Sequence, residues 1–156
     1  MSTVVETLLL RAEGGGLRYR VRARELPDGA HPDLVARDLA GFTGVAPEPA
    51  RLLHSTSWRF ESGRVVLTYA ALPDPEPAAT QPIDPYRPVP YALDPLYPAL
   101  AGIGPHDVAL HACRHLAYLW RTDPVVALAA DAAPELWELI RVLRPAVAGA
   151  LQPCLR

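Results

Sequence analysis

The sequence predicts an α/β fold: a mixed sheet built from two β-hairpins, with a short helix on one face and C-terminal helices on the other. Three observations carry that expectation. Two pairs of strand-like runs flank turns at Gly14-Gly15-Gly16 and at Glu61-Ser62-Gly63. Between the pairs, Leu34, Val35, Leu39 and Phe42 recur at helical spacing. After a proline-rich stretch, the last third of the chain again repeats apolar residues with a helical period. At 156 residues, half of them apolar, the chain can bury a core and is expected to form a single domain over 1–156.

Residues Thr3 to Arg11, TVVETLLLR, are β-branched and apolar enough for a largely buried strand. From Leu17 to Arg24 the pattern alternates strictly. Leu17, Tyr19, Val21 and Ala23 fall on one face and Arg18, Arg20, Arg22 and Arg24 on the other, because successive strand side chains point to opposite sides. The turn LPDGAHPD follows, with Pro32 suited to a first helical position and Asp33 to the positive end of the dipole. A helix is therefore expected from about His31 to Thr43, stopped by Gly44. Arg51–Phe60 and Arg64–Leu72 read as the second hairpin, completing a core over 1–72.

Residues 73–105 hold 10 of the 18 prolines and read as an extended connector, since proline removes a donor and fixes φ. Tyr86, Tyr91, Leu93, Leu96 and Tyr97 suggest that part of it packs on the body. In the helical part, 106–156, one helix starts at Gly104-Pro105-His106-Asp107 and presents Leu110, Cys113, Ala117 and Trp120. A further helix starts at Pro134 with Leu136, Leu139, Ile140 and Leu143, and Pro145 bends or ends it.

A formal net charge of −2 gives no global drive toward nucleic acid or membrane. All 15 basic residues are arginine and lysine and asparagine are absent, a bias that fits GC-rich coding, as in some bacteria. Cys113 and Cys154 form no closely spaced metal pair and suit a reduced cytoplasm. No secretory h-region and no membrane-length apolar run is visible, so a soluble, cytoplasmic protein is expected.

Four arginines in a row on one strand face cannot be buried without partners, so that face should open to solvent or to a cleft. It reads either as a solvated edge strand, the bland expectation, or as an anion-binding surface; Glu6, Glu13 and Glu25 are candidate partners. Asp107, His111 and His115 follow at i, i+4 and i+8, roughly opposite the apolar stripe. They are a candidate metal set, set against a solvated polar face or a subunit interface. Trp58 and Phe60 share a strand face and read as core, with Tyr69 on the partner strand able to line the same pocket.

The order strand, glycine turn, strand, ELPDG, then Ala36-Arg37-Asp38-Leu39-Ala40-Gly41-Phe42-Thr43-Gly44-Val45 and a hairpin resembles the Nudix family over about residues 3–72. The resemblance implies an α/β/α sandwich with a mixed sheet. It also implies a site in which glutamates of the box hold divalent cations on a diphosphate. Here the adjacent Glu-Glu positions are Gly41 and Phe42, Arg-Glu is Arg37-Asp38, and Gly29 stands where the earlier Glu belongs. Four expected acids have become one.

The expectation is thus a non-hydrolytic nucleotide-binding or regulatory module. Arg18, Arg20, Arg22, Arg24, Arg37, Trp58 and Tyr69 are its candidate ligand-binding residues for a nucleotide or phosphate. A divergent hydrolase is the alternative. It would use Asp38 as the catalytic residue, loop acids such as Glu48, Glu61 or Asp74, and Mg²⁺ or Mn²⁺. A third reading is a homodimeric scaffold assembled through the Pro/Tyr-rich segment and the C-terminal helices.

Overall fold

The computed structural model describes residues 1–76, 78–88, 94, 96–97 and 102–147. The chain forms a five-stranded mixed sheet, with strands β1 (Ser2–Glu13), β2 (Gly16–Glu25), β3 (Leu52–Glu61), β4 (Arg64–Leu72) and β5 (Gln81–Pro82). The helices are α1 (Pro32–Leu39), α2 (Pro105–Thr122), α3 (Pro124–Ala132) and α4 (Pro134–Arg141). The strand order is β3-β4-β1-β2-β5; β1 runs parallel to β4, and the other neighbours are antiparallel. No helix among the described residues is long and apolar enough to cross a membrane.

Strand β1 is central and buried on both faces, which is why VVETLLL reads as a near-continuous apolar run. Leu8 and Leu10 join Leu17 and Tyr19 of β2 and Leu72 of β4 in the larger core, under α2, α3 and α4. Val5 and Leu9 point the other way, Val5 to Val35, Ala36 and Leu39 of α1, and Leu9 to Ala40 and Phe42 just beyond it. The buried Thr7 hydroxyl donates to the Ala36 carbonyl at 3.1 Å, pinning α1 to the middle of the sheet.

Helix α1 starts as expected, with Pro32 in its first turn and the His31 ring accepting from the Asp33 amide at 3.2 Å. It ends earlier than the sequence suggests, at Leu39 rather than Thr43. Gly41 takes a left-handed φ of 74°, its amide donates to Asp38 O at 3.0 Å, and the Phe42 amide donates to Arg37 O at 3.1 Å. That bonding pair is a Schellman stop, and Gly41, not Gly44, supplies its left-handed residue.

Two further expectations are corrected. The connector adds a short strand, β5, and buries Ile83, whereas Tyr86, Leu96 and Tyr97 are exposed; Tyr91 and Leu93 lie outside the described residues. Trp58 and Phe60 are not core: they are 55% and 61% exposed. A β-bulge between Ser55 and Ser57 explains this, because one extra residue switches which face every later side chain takes. Leu52 and His54 lie on the α2 face, paired with Leu72 and Ala70. Beyond the bulge, Trp58 and Phe60 pair with Leu67 and Val65 on the α1 face. An eight-residue helix is only about 12 Å long and leaves that end of the face uncovered.

Burial separates the leucines sharply. Leu10→Ala, at a fully buried position, should lower the unfolding free energy by about 2–5 kcal/mol. Leu34→Ala, at 64% exposure on α1, should change it by less than about 0.5 kcal/mol in the same urea titration.

Candidate functional site

The Schellman stop decides what the end of α1 can do. Of the two positions where the resemblance expects adjacent glutamates, Gly41 is the left-handed residue of the stop. Phe42 is 6% exposed and packs with Leu9, Ala40 and Ala71. Both positions have become parts of the helix end and the core. Asp38, the remaining acid, projects from the flank of α1 toward β2 and forms an ion pair with Arg24 at 2.7 Å.

The loop acids do not converge on Asp38. Glu48 is paired with Arg51 at 3.2 Å, Glu61 with Arg59 at 3.4 Å, and Asp74 with Arg20 at 2.7 Å. Four carboxylates are thus held by four different arginines. Among the described residues no three His, Cys, Asp or Glu side chains are placed to hold a metal ion. Mg²⁺ needs several oxygen ligands in near-octahedral array, and the residues present here do not fit it or Mn²⁺.

The arginine row of β2 lies on the α1 face, and the chain itself supplies most of its partners. Arg18 donates to the Thr80 hydroxyl and carbonyl at 2.8 and 2.9 Å. Arg20 grips Asp74 with two bonds of 2.7 and 2.8 Å, and the Asp74 side chain is fully buried. Burial alone would raise the Asp74 pKa, but the Arg20 bonds outweigh it and hold the carboxyl below its usual range. Arg22 donates to the last-turn carbonyl of Leu39 at 3.0 Å, a cation at the negative end of α1. Of the expected acidic partners, Glu13 approaches Arg18 at 3.8 Å, while Glu6 instead binds Arg59 across the opposite sheet face. The row is therefore mainly a clasp for α1, Asp74 and Thr80, and of its four arginines only Arg22 and Arg24 are exposed.

The other flank of α1 is more open. The Tyr69 hydroxyl donates to the Asp33 carboxylate, and burial together with that bond raises the Tyr69 pKa. Arg37 lies one helical turn beyond Asp33, hence on the same flank, and spends only a 3.4 Å contact on the Phe42 carbonyl. Ser55, Ser57, Trp58, Leu67 and Tyr69 line a cleft of about 390 Å³. The structure thus splits the candidate ligand-binding residues. Arg18, Arg20, Arg22 and Arg24 stand on one flank of α1, and Arg37, Trp58 and Tyr69 lie on the other. A second cleft, of about 430 Å³, lies between Thr3 and the loop Glu25–Ala30 and holds none of these residues.

The histidines of α2 do not form the solvated face the spacing suggests. His111 and His115 are 4% and 3% exposed and point into the interior. Asp107 serves the helix start, accepting from the Gly104 amide at 3.0 Å and from Arg87 at 2.8 Å. The His111 and His115 rings are stacked with centroids 6.4 Å apart, and His115 meets His54 of β3 at 5.9 Å. The His115 ring bonds the Ala146 carbonyl at 2.9 Å, whereas His111 Nε2 is buried without a hydrogen-bond partner. Burial, with His115 adjacent, pushes the His111 pKa down to about 4; burial likewise lowers that of His115. The meeting of His54 with His115 has no signal in the sequence, since it depends on which strand α2 crosses.

No protein-family model matches the chain, and neither a curated protein nor a solved structure does.

Two outcomes test this electrostatic description. Asp74→Ala would leave Arg20, 15% exposed, with only the exposed Glu76 at 3.8 Å and should cost about 3 kcal/mol, while Glu76→Ala, 64% exposed, should cost less than about 1 kcal/mol. The His111 pKa is lower folded than unfolded, so the unfolded chain takes up the proton first. Its stability contribution is present above the unfolded value of 6.5 and is lost as pH falls toward about 4, amounting to about 3 kcal/mol. Denaturant melts between pH 7 and pH 4 should show that loss, and a His111→Leu variant should show a flatter profile.

Proposed function

We propose that this chain is a Nudix-like module that binds a nucleotide, or a related phosphate ester, without hydrolysing it. The observation that carries the reading is the fate of the two box positions. Gly41 ends the helix and Phe42 fills the core, so restoring acids there would break a helix stop and bury a charge. With Asp38 ion-paired to Arg24 and the other acids engaged elsewhere, metal-assisted attack on a diphosphate lacks its ligand set.

Binding is supported by the open flank of α1. Trp58 offers an exposed ring at a cleft whose floor includes Tyr69, suited to stacking a planar base. Arg37, on the same flank and engaging no carboxylate among the described residues, offers N–H groups for a phosphate. Ser55, paired with Tyr69, adds a hydroxyl for the polar edge of a ligand.

Titration with ADP and other nucleoside diphosphates, followed by tryptophan fluorescence, tests the reading. Trp58→Ala should weaken binding about tenfold or more, since stacking on one aromatic ring contributes roughly 1–3 kcal/mol per base. Arg37→Ala should weaken it and reduce its salt dependence, and Asp38→Ala should leave affinity within about twofold. No phosphate or nucleoside monophosphate should be released with Mg²⁺ or Mn²⁺. Metal-dependent cleavage that vanishes in Asp38→Ala would replace this reading with a divergent hydrolase.

A further inference from the structure

On the α2 face of the sheet, one buried side chain ties three elements together. The ring of His115 in α2 meets His54 of β3 edge-on, with centroids 5.9 Å apart. It also stacks on His111, one turn earlier in α2, at 6.4 Å. Its Nδ1 stands 2.9 Å from the Ala146 carbonyl oxygen. A carbonyl oxygen only accepts, so Nδ1 carries the proton of this bond and Nε2 keeps a lone pair. The Ala146 amide in turn donates to the Arg114 carbonyl at 3.0 Å. Residues 143–146, beyond the end of α4, are thus strapped to α2 by two bonds at one residue, with Leu143 buried in the core beside it.

Three imidazoles in contact make a place where a proton is unwelcome. The charged or titratable groups acting on the two buried rings are each other, His54 and Arg114, all of them basic. Tyr118 stacks beside His115 at 6.0 Å and brings no counter-charge. The acids of the packed elements are committed or turned outward. Asp107 is held by Arg87 and Glu61 by Arg59, while Asp131, Glu135 and Glu138 are exposed, as is Arg144 of the strap. Among the described residues, no carboxylate stands within ion-pair distance of the three rings. We infer that His115 is the catch of a pH-sensitive strap: neutral, it holds residues 143–146 on α2, and once protonated it turns out to solvent and releases them. Protonation does not itself remove the Nδ1 bond. The strap opens because a buried imidazolium beside two other rings, without water or an acid, costs more than one such bond contributes. The closed ring titrates below an exposed one, so the closed strap is favoured above the ordinary histidine value of 6.5 and is lost as pH falls. A charge on the partly exposed His54 adds to the effect, since it faces His115 directly.

The strap is independent of the nucleotide reading, and its test uses the full chain without ligand. Amide hydrogen exchange would be followed at pH 7.5 and pH 5, each rate corrected for the intrinsic rate at that pH. The readout is exchange of the Ala146 amide relative to the central amides of β1. In the wild type this ratio should rise about tenfold or more at pH 5. His115→Asn keeps a donor near the position of Nδ1 but takes up no proton, so its ratio should change less than about twofold. His115→Leu has no donor, and its Ala146 amide should exchange quickly at both pH values. His54→Gln removes the facing charge and should reduce the acid response about threefold. Val126→Ala, a fully buried position in α3, is a control for general loss of stability and should keep the wild-type response.

A wild-type Ala146 amide that follows β1 at both pH values would overturn the inference. So would a full acid response surviving in His115→Asn, because the proton would then be taken up elsewhere. If His115→Asn does not fold, or leaves the strap open at both pH values, His54→Gln decides: a reduced acid response supports the catch, and one equal to wild type overturns it. Failure of ADP to bind would leave this result untouched, since no residue of the strap lines the Trp58 cleft.

Discussion

Everything else in this structure depends on β1 being buried on both faces. A strand flanked by β2 and β4, with α1 above and α2 to α4 below, has no side left for water, so each of its residues from Val5 to Leu10 needs a partner. The apolar ones find it in two separate clusters, one on each face. The polar ones are matched individually: Thr7 donates to Ala36 O, and Glu6 accepts from Thr68 and from Arg59, which reaches it from beyond the bulge. The Thr7 and Arg59 bonds place α1 and β3 relative to the centre of the sheet. The flank of α1 and the cleft beside Trp58 take their positions from them.

The structural roles of Gly41 and Phe42 follow from the same constraint. A short helix seated on a central strand must end cleanly, because carbonyls left unbonded near a buried face are costly. Gly41 ends it and Phe42 seals it, and once both residues are committed in this way the segment has no room for metal ligands. The arginines of β2 are drawn into the same task. Arg22 meets the end of α1 and Arg24 its outer flank, while Arg18 secures Thr80 and Arg20 secures Asp74.

The parts of this arrangement governed by local periodicity could be read in the sequence. Strict alternation marks β2, glycine turns mark both hairpins, and Pro32 and Pro105 mark two helix starts, each within a residue of its observed place. What could not be read depends on distant contacts or on a single extra residue. Helix α3 was hidden because Pro124 and Pro134 bracket a run, VVALAADA, that has little amphipathic contrast. The bulge at Ser55–Ser57 reverses the parity on which any assignment of Trp58 and Phe60 must rely, so they read as core and emerge exposed. His111 and His115 read as a polar face because histidine carries no fixed preference; the crossing of α2 over β3 makes them interior. The division of the candidate residues between two flanks of α1 could not be read either, since it depends on where α1 crosses the sheet.

The two outer strands of the sheet have a consequence for association. Strand β5 is only two residues long, and one of them is Pro82, which has no N–H to offer an incoming strand. Strand β3 is longer, but its bulge breaks the even spacing that a neighbouring strand must match. A sheet closed off in this way at both margins resists growth by edge-to-edge stacking. Crowded copies of this protein should therefore stay dispersed rather than template one another into fibrils, even though the exposed aromatics of β3 would otherwise favour such growth.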